Sequence, residues 1–226
     1  MNLLLNICKN KSYRMTNLAK KIDEINKNLA AQLPADIIEV FSQSIQELKS
    51  SKIEENSTQV GNKFPNFSLK NTSNQIIHLN ELLKKGKVIV AFFRGSWCPY
   101  CNVELKALQD HMEFFKEKNI SLVAIAPQSE SYNKELEVNH MLRYDILTDQ
   151  DNTLAKQLGI SFELPNYALT TYEKLGIKLS KYNKNDHKEL PIPAVYIIDT
   201  NYNITYQFVD SNYMNRVNIQ DLIDQL

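Results

Sequence analysis

The chain has 226 residues, and its 26 basic and 26 acidic side chains give a formal net charge of zero at neutral pH. Nucleic-acid binding normally requires a clustered basic surface, and this balance gives no sign of one. A chain of this length buries enough apolar surface to fold without a metal or a disulfide framework. We therefore expect one generous domain or one domain with an appendage.

The cysteine count and the apolar pattern bear on location. Three cysteines, of which Cys8 is the first, are the wrong number for a secreted disulfide scaffold. The apolar run at residues 1–5 is too short for a signal peptide, and no window approaches the roughly 18 apolar residues of a membrane span. We expect a cytoplasmic protein with no membrane partner, and we assign Cys8 no role.

Two amphipathic helices are predicted near the N-terminus. Apolar residues recur at helical spacing over residues 17–32 and again over 37–48. The polar stretch 54–62 has the composition of a linker. We therefore place an N-terminal helical extension at residues 1–58 and an α/β domain at 59–226, and we expect the helices to be a packing appendage or a dimer element.

Short apolar runs and helical patterns then follow each other. A hairpin is expected over residues 67–79 around the turn-forming cluster 71–74, with Asn80 capping the short helical turn after it. Residues 87–93 (KVIVAFF) form a continuous apolar run, which is typical of a strand covered on both faces. One helix is expected over 99–116.

The second half of the chain continues this pattern. Strands are predicted at 122–126 and 145–147, and helical segments near 131–140 and 152–159. Residues 161–190 have the composition of an insertion that contains a helix. A candidate role of this insertion is to form one wall of the functional site. A hairpin over 194–209 and a helix from Asn218 close the chain. This order argues for a central mixed sheet with helices on both faces.

Cys98 and Cys101 carry the clearest chemistry. They are one helical turn apart, close enough to form a disulfide. They follow a buried strand and open a helix, where unpaired N–H groups and the helix dipole favour a thiolate, and Arg94 adds positive charge. We interpret them as a redox-active pair that needs no bound cofactor. A zinc site, which requires two further Cys or His ligands, and inert buried thiols are the alternatives.

Pro193 leads into the predicted strand at the start of the closing hairpin. One interpretation is a rigid strand entry, since proline is tolerated at the first position of a strand. The other is that the bond between Ile192 and Pro193 is cis and faces the two cysteines, because cis prolines are rare and usually purposeful.

Several segments resemble one known family. Residues 61–69 (GNKFPNFSL) resemble the opening G-x-x-x-P-x-F-x-L of peroxiredoxins. Residues 92–105 (FFRGSWCPYCNVEL) resemble the CPYC-containing proteins of the alkyl hydroperoxide reductase and thiol-specific antioxidant (AhpC/TSA) superfamily. The similarity continues through 122–128, 190–199 and 208–210, with Tyr213 and Arg216. The resemblance implies a thioredoxin-like fold of the peroxiredoxin type.

The resemblance also implies roles for individual residues. Against a typical peroxiredoxin, the peroxidatic position falls on Cys101 and its glutamate on Glu104. The family's active-site threonine, its proline over the cysteine and its peroxide-polarising arginine are replaced by Cys98, Arg94 and Pro193. Against a thioredoxin, Cys98 is the attacking thiol, Cys101 the resolving thiol and Pro193 the cis proline beside them. On this basis we expect the cis form.

The missing threonine and arginine matter because such donors stabilise charge that develops on the peroxide oxygens, and losing one can slow a reaction by about 100–1000-fold. Ser96 and Arg94 are candidates to replace them, as are backbone N–H groups at the helix start. Trp97 is either a platform or a packing residue, Pro99 is expected to begin the helix, and Tyr100 is expected to tune the redox potential.

Three functions are compatible with these residues. In a peroxiredoxin-like peroxidase, a hydroperoxide oxidises Cys101 to a sulfenic acid, Cys98 condenses with it, and thioredoxin or a similar dithiol reduces the disulfide. In a thiol–disulfide oxidoreductase, Cys98 attacks a protein disulfide and Cys101 resolves the mixed disulfide. A redox sensor would use the pair as a switch. The whole-chain resemblance favours the peroxidase, and a homodimer is one expectation for the apolar N-terminal helices.

Overall fold

The computed structural model describes residues 18–226, so Cys8 lies outside the described residues. The helices are α1 (18–32), α2 (Ala35–Ser50), α3 (Ile53–Asn56), α4 (Leu79–Leu83), α5 (Pro99–Gln109), α6 (Met112–Glu117), α7 (Glu130–His140), α8 (Thr153–Gln157), α9 (Asn166–Lys174), α10 (Leu179–Asn183) and α11 (Ile219–Asp224). The strands are β1 (Ser68–Asn71), β2 (Ile76–His78), β3 (Val88–Phe92), β4 (Ser121–Ala126), β5 (Asp145–Thr148), β6 (Ser161–Glu163), β7 (Glu189–Pro191), β8 (Ala194–Ile198) and β9 (Ile204–Val209).

The main sheet is mixed, which confirms the predicted architecture. Its strand order is β2-β1-β5-β4-β3-β8-β9. The β3–β4 and β4–β5 pairs are parallel, and the pairs on either side of them are antiparallel. Parallel neighbours need a crossover connection, and α5 with α6 and then α7 supply the two crossovers. The predicted hairpins at both edges of the sheet are present as β1–β2 and β8–β9.

Strand β3 lies at the centre and is covered on both faces, as its apolar run predicts. Ile89 and Ala91 belong to the core layer that α5 and α11 complete. Val88, Val90 and Phe92 belong to the opposite layer. Because successive side chains of a strand point to opposite faces, five consecutive apolar residues fill both layers. The end of this rigid strand therefore gives a fixed starting point for the cysteine-bearing helix α5.

The N-terminal helices pack onto the sheet domain. Leu18 of α1 is buried in the layer below α5, and Leu29 packs against the same layer. Phe41 of α2 packs edge-on against Tyr172 of α9, with ring centroids 5.6 Å apart. The segment after α2 is not the open linker that its polarity suggested, because it forms α3 and Glu54 accepts a hydrogen bond from the Ser211 backbone N–H at 2.7 Å.

Two details of the helix predictions were wrong. The helix expected over 99–116 is two helices, because the chain tightens where the His111 N–H donates to the Leu108 carbonyl before α6 begins. Asn80 does not cap α4: the helix begins at Leu79, whose N–H donates to the Phe67 carbonyl at 3.1 Å, and His78 occupies the cap position.

Residues 161–190 form a small unit of their own. Strands β6 and β7 pair antiparallel, and α9 and α10 lie between them in the chain. Leu164, Ala168 and Tyr172 form an apolar cluster against which Phe41 and Trp97 pack. This unit therefore connects α2 with the residue next to Cys98. Over residues 18–226, none of the helices has the length and apolarity needed to cross a membrane.

Candidate active site

The two cysteines lie at the junction of β3 and α5. Cys98 is the N-cap residue of α5 with extended backbone angles, and Pro99 is the first helical residue, where its missing N–H is not needed. Gly95, in the preceding loop, has φ +155°, and a Cβ atom there would lie 2.3 Å from Trp97 Nε1. Glycine is therefore required for the indole of Trp97 to lie against this loop.

The two thiols have opposite ionisation tendencies. Cys98 is 1% exposed, Cys101 is 0% exposed, and no disulfide joins them. Burial works against ionisation of Cys98, but the hydrogen bond from Cys101 and the charges of Arg94 and Arg216 together lower its pKa well below the ordinary value. Burial raises the pKa of Cys101 well above the ordinary value, and its hydrogen bond to Cys98 raises it further. Of the two thiols, Cys98 is therefore the one favoured to carry the negative charge.

Arg216 brings a second positive charge to the sulfurs from the far end of the chain. Its Nη2 lies 3.4 Å from Cys101 Sγ and 3.9 Å from Cys98 Sγ. Its Nη1 donates to Glu104 Oε2 at 3.2 Å, and Glu104 Oε1 accepts from the Val217 N–H at 3.3 Å. Burial raises the pKa of Glu104, and Arg216 opposes that rise.

Sequence reasoning noted Arg216 only as part of the family resemblance and missed it as a site residue. Its position between Tyr213 and the apolar start of the closing helix gave no local sign of a contact 115 residues away in the chain. Glu104 was predicted to belong to the site, and the structure places it one turn after Cys101 on α5, bound to Arg216.

Arg94 is a buried cation inside a ring of aromatic side chains. It is 2% exposed, and its guanidinium carbon lies 4.0 Å from the ring centroid of Tyr213 and 4.9 Å from that of Trp97. It also donates to the Tyr172 hydroxyl. Burial disfavours its charge, but the attraction of Tyr172 and Cys98 outweighs this and raises the pKa of Arg94. Tyr172 comes from the insertion, and nothing in the sequence pattern singled it out.

Ser96 and Tyr100 form hydrogen bonds with residues other than the two cysteines. The backbone N–H and the hydroxyl of Ser96 both donate to Gln128 Oε1, at 2.8 and 3.1 Å, so this residue fixes the loop to the end of β4. The Tyr100 hydroxyl donates to Asn26 Oδ1 at 2.6 Å and so connects α5 to α1. Burial, with a smaller contribution from Cys98, raises the pKa of Tyr100 to about 12, which keeps the phenol neutral.

The expectation of a cis peptide bond before Pro193 was wrong. The peptide bond between Ile192 and Pro193 is trans, not cis. The Ile192 N–H donates to the Ile160 carbonyl at 2.8 Å, directly after the last residue of β7, and β8 begins one residue beyond Pro193. A trans bond keeps the backbone extended between these two strands. Pro193 lines a small recess together with Arg94 and Tyr213, and neither cysteine is part of the lining of that recess.

A cavity of about 410 Å³ opens over Cys98. Arg94, Trp97 and Tyr213 line its inner part together with Cys98, whereas Cys101 is not part of its wall. The outer walls come from α1, α2, α9 and the residues after α9. The arrangement gives a small molecule access to one of the two sulfurs. Within residues 18–226, no three His, Cys, Asp or Glu side chains gather as a metal site.

The segment that carries the sheet and both cysteines has known relatives. The AhpC/TSA family model matches residues 60–207. The chain belongs to the AhpC/TSA family. Helices α1 and α2 lie outside the matched segment, and so does Arg216.

Sequence relatives of this AhpC/TSA protein are named peroxiredoxins. It is 30% identical over 100 residues to the putative peroxiredoxin bcp of Buchnera aphidicola subsp. Schizaphis graminum, covering 44% of this chain and 63% of that protein. It is 25% identical over 134 residues to the chloroplastic peroxiredoxin Q of Oryza sativa subsp. japonica, covering 57% of this chain and 61% of that protein. The chain therefore spans less than two thirds of the length of these relatives.

The fold of this AhpC/TSA protein is also found in solved structures. The crystal structure of peroxidoxin BcpB from Mycobacterium tuberculosis superposes with a TM-score of 0.60 at 18% identity, covering 74% of this chain and 96% of that one. The bacterioferritin comigratory protein of Xanthomonas campestris gives a TM-score of 0.55 at 9% identity, covering 70% and 89%. The predicted peroxiredoxin-type α/β fold is confirmed.

Proposed function

We propose that this AhpC/TSA protein is a thiol-based hydroperoxide reductase that cycles between a Cys98/Cys101 dithiol and a disulfide. The observation that carries the proposal is the position of Cys98, which lines the cavity with Arg94 and lies 3.9 Å from Nη2 of Arg216. These two guanidinium groups lower the pKa of its thiol. The names of its sequence relatives support the same class of reaction.

The proposal assigns the attack to Cys98. Family position implies Cys101 instead, but the pKa of Cys101 is raised and its side chain does not line the cavity. The Cys98 sulfur attacks the terminal oxygen of the hydroperoxide, so that an S–O bond forms as the O–O bond breaks. The sulfur is oxidised by two electrons to a sulfenic acid, and the leaving oxygen takes up a proton and departs as the alcohol or as water.

Cys101 then completes the cycle. Its thiol attacks the Cys98 sulfenic acid, the S–O bond breaks, water leaves and the Cys98–Cys101 disulfide forms. The i, i+3 spacing on α5 allows this bond. A dithiol of the thioredoxin type would return the pair to the reduced state by thiol–disulfide exchange.

The two guanidinium groups fill the role of the donors that the family pattern lacks here. A peroxidase needs positive charge or N–H donors where negative charge develops on the leaving oxygen. Arg94 lies on the cavity wall beside Cys98, and Arg216 reaches both sulfurs from the protein side. The absence of the family's threonine and arginine therefore does not by itself imply a slow reaction with peroxide.

Disulfide exchange with proteins is the weaker alternative. An attacking thiol in such an enzyme must reach a disulfide on another folded protein. Cys98 is 1% exposed and lies below α1 and α2, so a small molecule reaches it more easily than a protein does. A cytoplasmic location and the pairing of two chains stay predictions from the sequence.

The order of the two cysteines can be tested in a Cys8→Ser background, which leaves only the two site thiols. Reduced Cys101→Ser and Cys98→Ser variants are mixed with hydrogen peroxide and dimedone, and the labelled peptide is found by mass spectrometry. We expect rapid dimedone labelling of Cys98 in Cys101→Ser, because no resolving thiol is left to remove the sulfenic acid. Cys98→Ser should react no faster than a free thiol.

Two outcomes would contradict the proposal. Rapid labelling of Cys101 in the Cys98→Ser variant would show that Cys101, the peroxidatic position of the family, attacks the peroxide. Oxidation of the intact pair no faster than that of glutathione would remove the peroxidase function and leave disulfide exchange as the next activity to measure.

A further inference from the structure

The proposed attack of Cys98 on a peroxide needs a proton donor at the leaving oxygen. As the O–O bond breaks, its electron pair goes to that oxygen, which departs as hydroxide or alkoxide unless it receives a proton. Both anions are poor leaving groups, so an acid in contact with this oxygen accelerates the step by about 100–10,000-fold. The donor has to be a group on the cavity wall, because that is where a peroxide meets Cys98.

The other ionisable groups of the site are unsuited to this role. A guanidinium does not give up its proton in proteins, which excludes Arg94 and Arg216. Glu104 is bound to Arg216 and is not part of the cavity wall. Cys101 is also absent from that wall, and its hydrogen bond goes to Cys98. Among the side chains, the hydroxyl groups of the cavity remain.

Four side chains of the cavity wall carry a hydroxyl group: Ser42, Tyr100, Tyr172 and Tyr213. Ser42 is an alcohol and is therefore no stronger an acid than the group that it would protonate. Tyr100 already donates its proton to Asn26 Oδ1 at 2.6 Å. The phenols of Tyr172 and Tyr213 remain, and a phenol is a far stronger acid than water or an alcohol.

Arg94 distinguishes these two phenols. Its Nη2 donates a hydrogen bond to the Tyr172 hydroxyl, whereas Tyr213 meets it with the face of its ring, whose centroid lies 4.0 Å from the guanidinium carbon. Tyr172 is 4% exposed, so solvent barely reaches its side chain. Its oxygen accepts from Arg94, and within residues 18–226 no acceptor takes its own proton. The Tyr172 hydroxyl is therefore fixed in place with its proton free to be donated.

Arg94 also connects Tyr172 with the reacting sulfur. Arg94, Tyr172 and Cys98 line the same cavity, and the charge of Arg94 lowers the pKa of the Cys98 thiol. Burial raises the pKa of Tyr172, which keeps the phenol protonated before the reaction, and Arg94 opposes that rise. Arg94 Nε is buried with no acceptor among the described residues, so a peroxide oxygen can satisfy it. The guanidinium that activates the sulfur thus also stabilises the phenolate that proton donation leaves behind.

We infer that Tyr172 is the catalytic residue that protonates the leaving oxygen of the peroxide. This inference rests on the proposed function, which leaves the source of that proton open. The Cys98 sulfur takes the terminal oxygen, the O–O bond breaks, and the Tyr172 proton moves to the oxygen that leaves as water or an alcohol. The phenolate next to Arg94 then regains a proton from solvent, so one sulfenic acid and one water or alcohol are formed.

Two peroxides separate proton donation from other effects on the sulfur. Hydrogen peroxide releases hydroxide, which needs a proton, whereas peracetic acid releases acetate, which is stable as an anion at neutral pH. A change in the amount or reactivity of the Cys98 thiolate alters both rate constants alike. The readout is therefore the ratio of the rate constant for hydrogen peroxide to that for peracetic acid. Both are measured in the Cys8→Ser background by rapid quenching with N-ethylmaleimide and mass spectrometry.

Three tyrosine variants are compared. Tyr172→Phe removes the hydroxyl and keeps the ring. Tyr167→Phe is the matched control, because Tyr167 lies on the same helix α9, its hydroxyl donates to Glu47 Oε2 at 2.6 Å, and it is not part of the cavity wall. Tyr213→Phe tests the other phenol of the cavity.

We expect Tyr172→Phe to lower the ratio by about 100-fold or more, which is the contribution of a general acid. Tyr167→Phe should leave the ratio unchanged, and Tyr213→Phe should lower it less than Tyr172→Phe does. An unchanged ratio in Tyr172→Phe, or a drop in Tyr213→Phe at least as large, would overturn the inference. If the unmodified protein reacts with hydrogen peroxide no faster than glutathione does, the proposed function fails instead.

A measurement without any variant at position 172 tests the same step. In heavy water, the reaction of the protein with hydrogen peroxide should slow more than its reaction with peracetic acid, because only the first transfers a proton as the O–O bond breaks. An effect of the solvent on the Cys98 thiolate itself cancels in this ratio. The same ratio in light and heavy water would contradict proton donation by Tyr172.

Discussion

Arg216 donates to Glu104 at 3.2 Å in the interior, where the two side chains are 0% and 2% exposed. Burying two charges is costly, and such a pair is retained at a net gain only when its geometry is good and its other hydrogen bonds are made. Glu104 also accepts a hydrogen bond from the Val217 N–H. The second guanidinium nitrogen of Arg216, Nη2, lies 3.4 Å from Cys101 Sγ. The carboxylate thus holds Arg216 where it can stabilise the Cys98 thiolate.

Replacing Arg216 tests both roles of this pair. Arg216→Met leaves Glu104 buried without its counter-charge, which should lower the free energy of unfolding by about 3–5 kcal/mol. It should also raise the pKa of Cys98, because Arg216 is one of the charges that lower it. Urea unfolding measures the first effect, and the pH dependence of Cys98 alkylation measures the second.

The matched control for this change is Arg143→Met. Arg143 pairs with Glu113 at 3.3 Å on the surface, where both side chains are more than half exposed, and a surface pair contributes only about 0–1 kcal/mol. A loss of stability in Arg216→Met no larger than in Arg143→Met would contradict the structural role. An unchanged alkylation profile would contradict the electrostatic one.

Alkylation of Cys98 by iodoacetamide should depend on pH in a defined direction. The pKa of Cys98 is lowered by its hydrogen bond from Cys101 and by Arg94 and Arg216, against the effect of burial. The thiolate should therefore be present at neutral pH, and the rate should fall only as acidification passes through the lowered pKa. The stability that ionisation of Cys98 contributes is present in full above the ordinary thiol pKa and is lost as the pH falls from there through the lowered pKa.

Peptide mass spectrometry separates the two cysteines in this experiment. Cys101, whose pKa is raised by burial and by its neighbour, should stay unmodified at neutral pH while Cys98 reacts. A midpoint for Cys98 at the ordinary thiol pKa, or equal modification of both residues, would show that the charge is not concentrated on Cys98.

Local features of this site were predictable, and contacts distant in sequence were not. The strand β3, the loop and the start of α5 lie next to each other in the chain, so apolar pattern and spacing were enough to place Cys98 at a helix start. Arg216 reaches the sulfurs only because α11 folds back beside α5. Tyr172 meets Arg94 only because the insertion packs against this loop, and no local pattern encodes such packing.

The conformation of the bond before Pro193 could not be predicted from the sequence, for a different reason. The two prolines around Ile192 fit either a strand entry or a cis turn, and the resemblance favoured the second. The deciding contact is the pairing of β7 with β6, which keeps the chain extended up to β8. That pairing joins residues about thirty positions apart inside an insertion, where periodicity gave no strand at all.

Gly95→Ala should destabilise the site more than an ordinary glycine substitution does. The added Cβ would meet the Trp97 indole at 2.3 Å, and φ is +155°. Gly61→Ala is the control, because Gly61 also has a positive φ, +89°, but open space around its Cβ position. Backbone strain alone costs about 1–3 kcal/mol, so Gly61→Ala measures that part.

The readouts are urea unfolding and Trp97 emission. We expect a larger loss of stability for Gly95→Ala than for Gly61→Ala, and a shift of the emission maximum only for Gly95→Ala, since the ring must move. Equal losses with unchanged emission would mean that the indole does not depend on the missing side chain.

The hydrogen bond from Tyr100 to Asn26 should fix α1 above the cysteines. Its length is 2.6 Å, and it joins the helix that carries Cys101 to the helix that walls the cavity. Tyr100→Phe and Asn26→Ala should each cost about 1 kcal/mol, and the double variant should cost less than their sum, because both remove the same bond. Urea unfolding of the four proteins gives the coupling energy, and hydrogen exchange should show faster exchange in α1 for each variant.

Asn28→Ala, an exposed change on the same helix, is the control. Additive losses, or α1 exchange that matches the control, would mean that this bond does not hold the wall of the cavity.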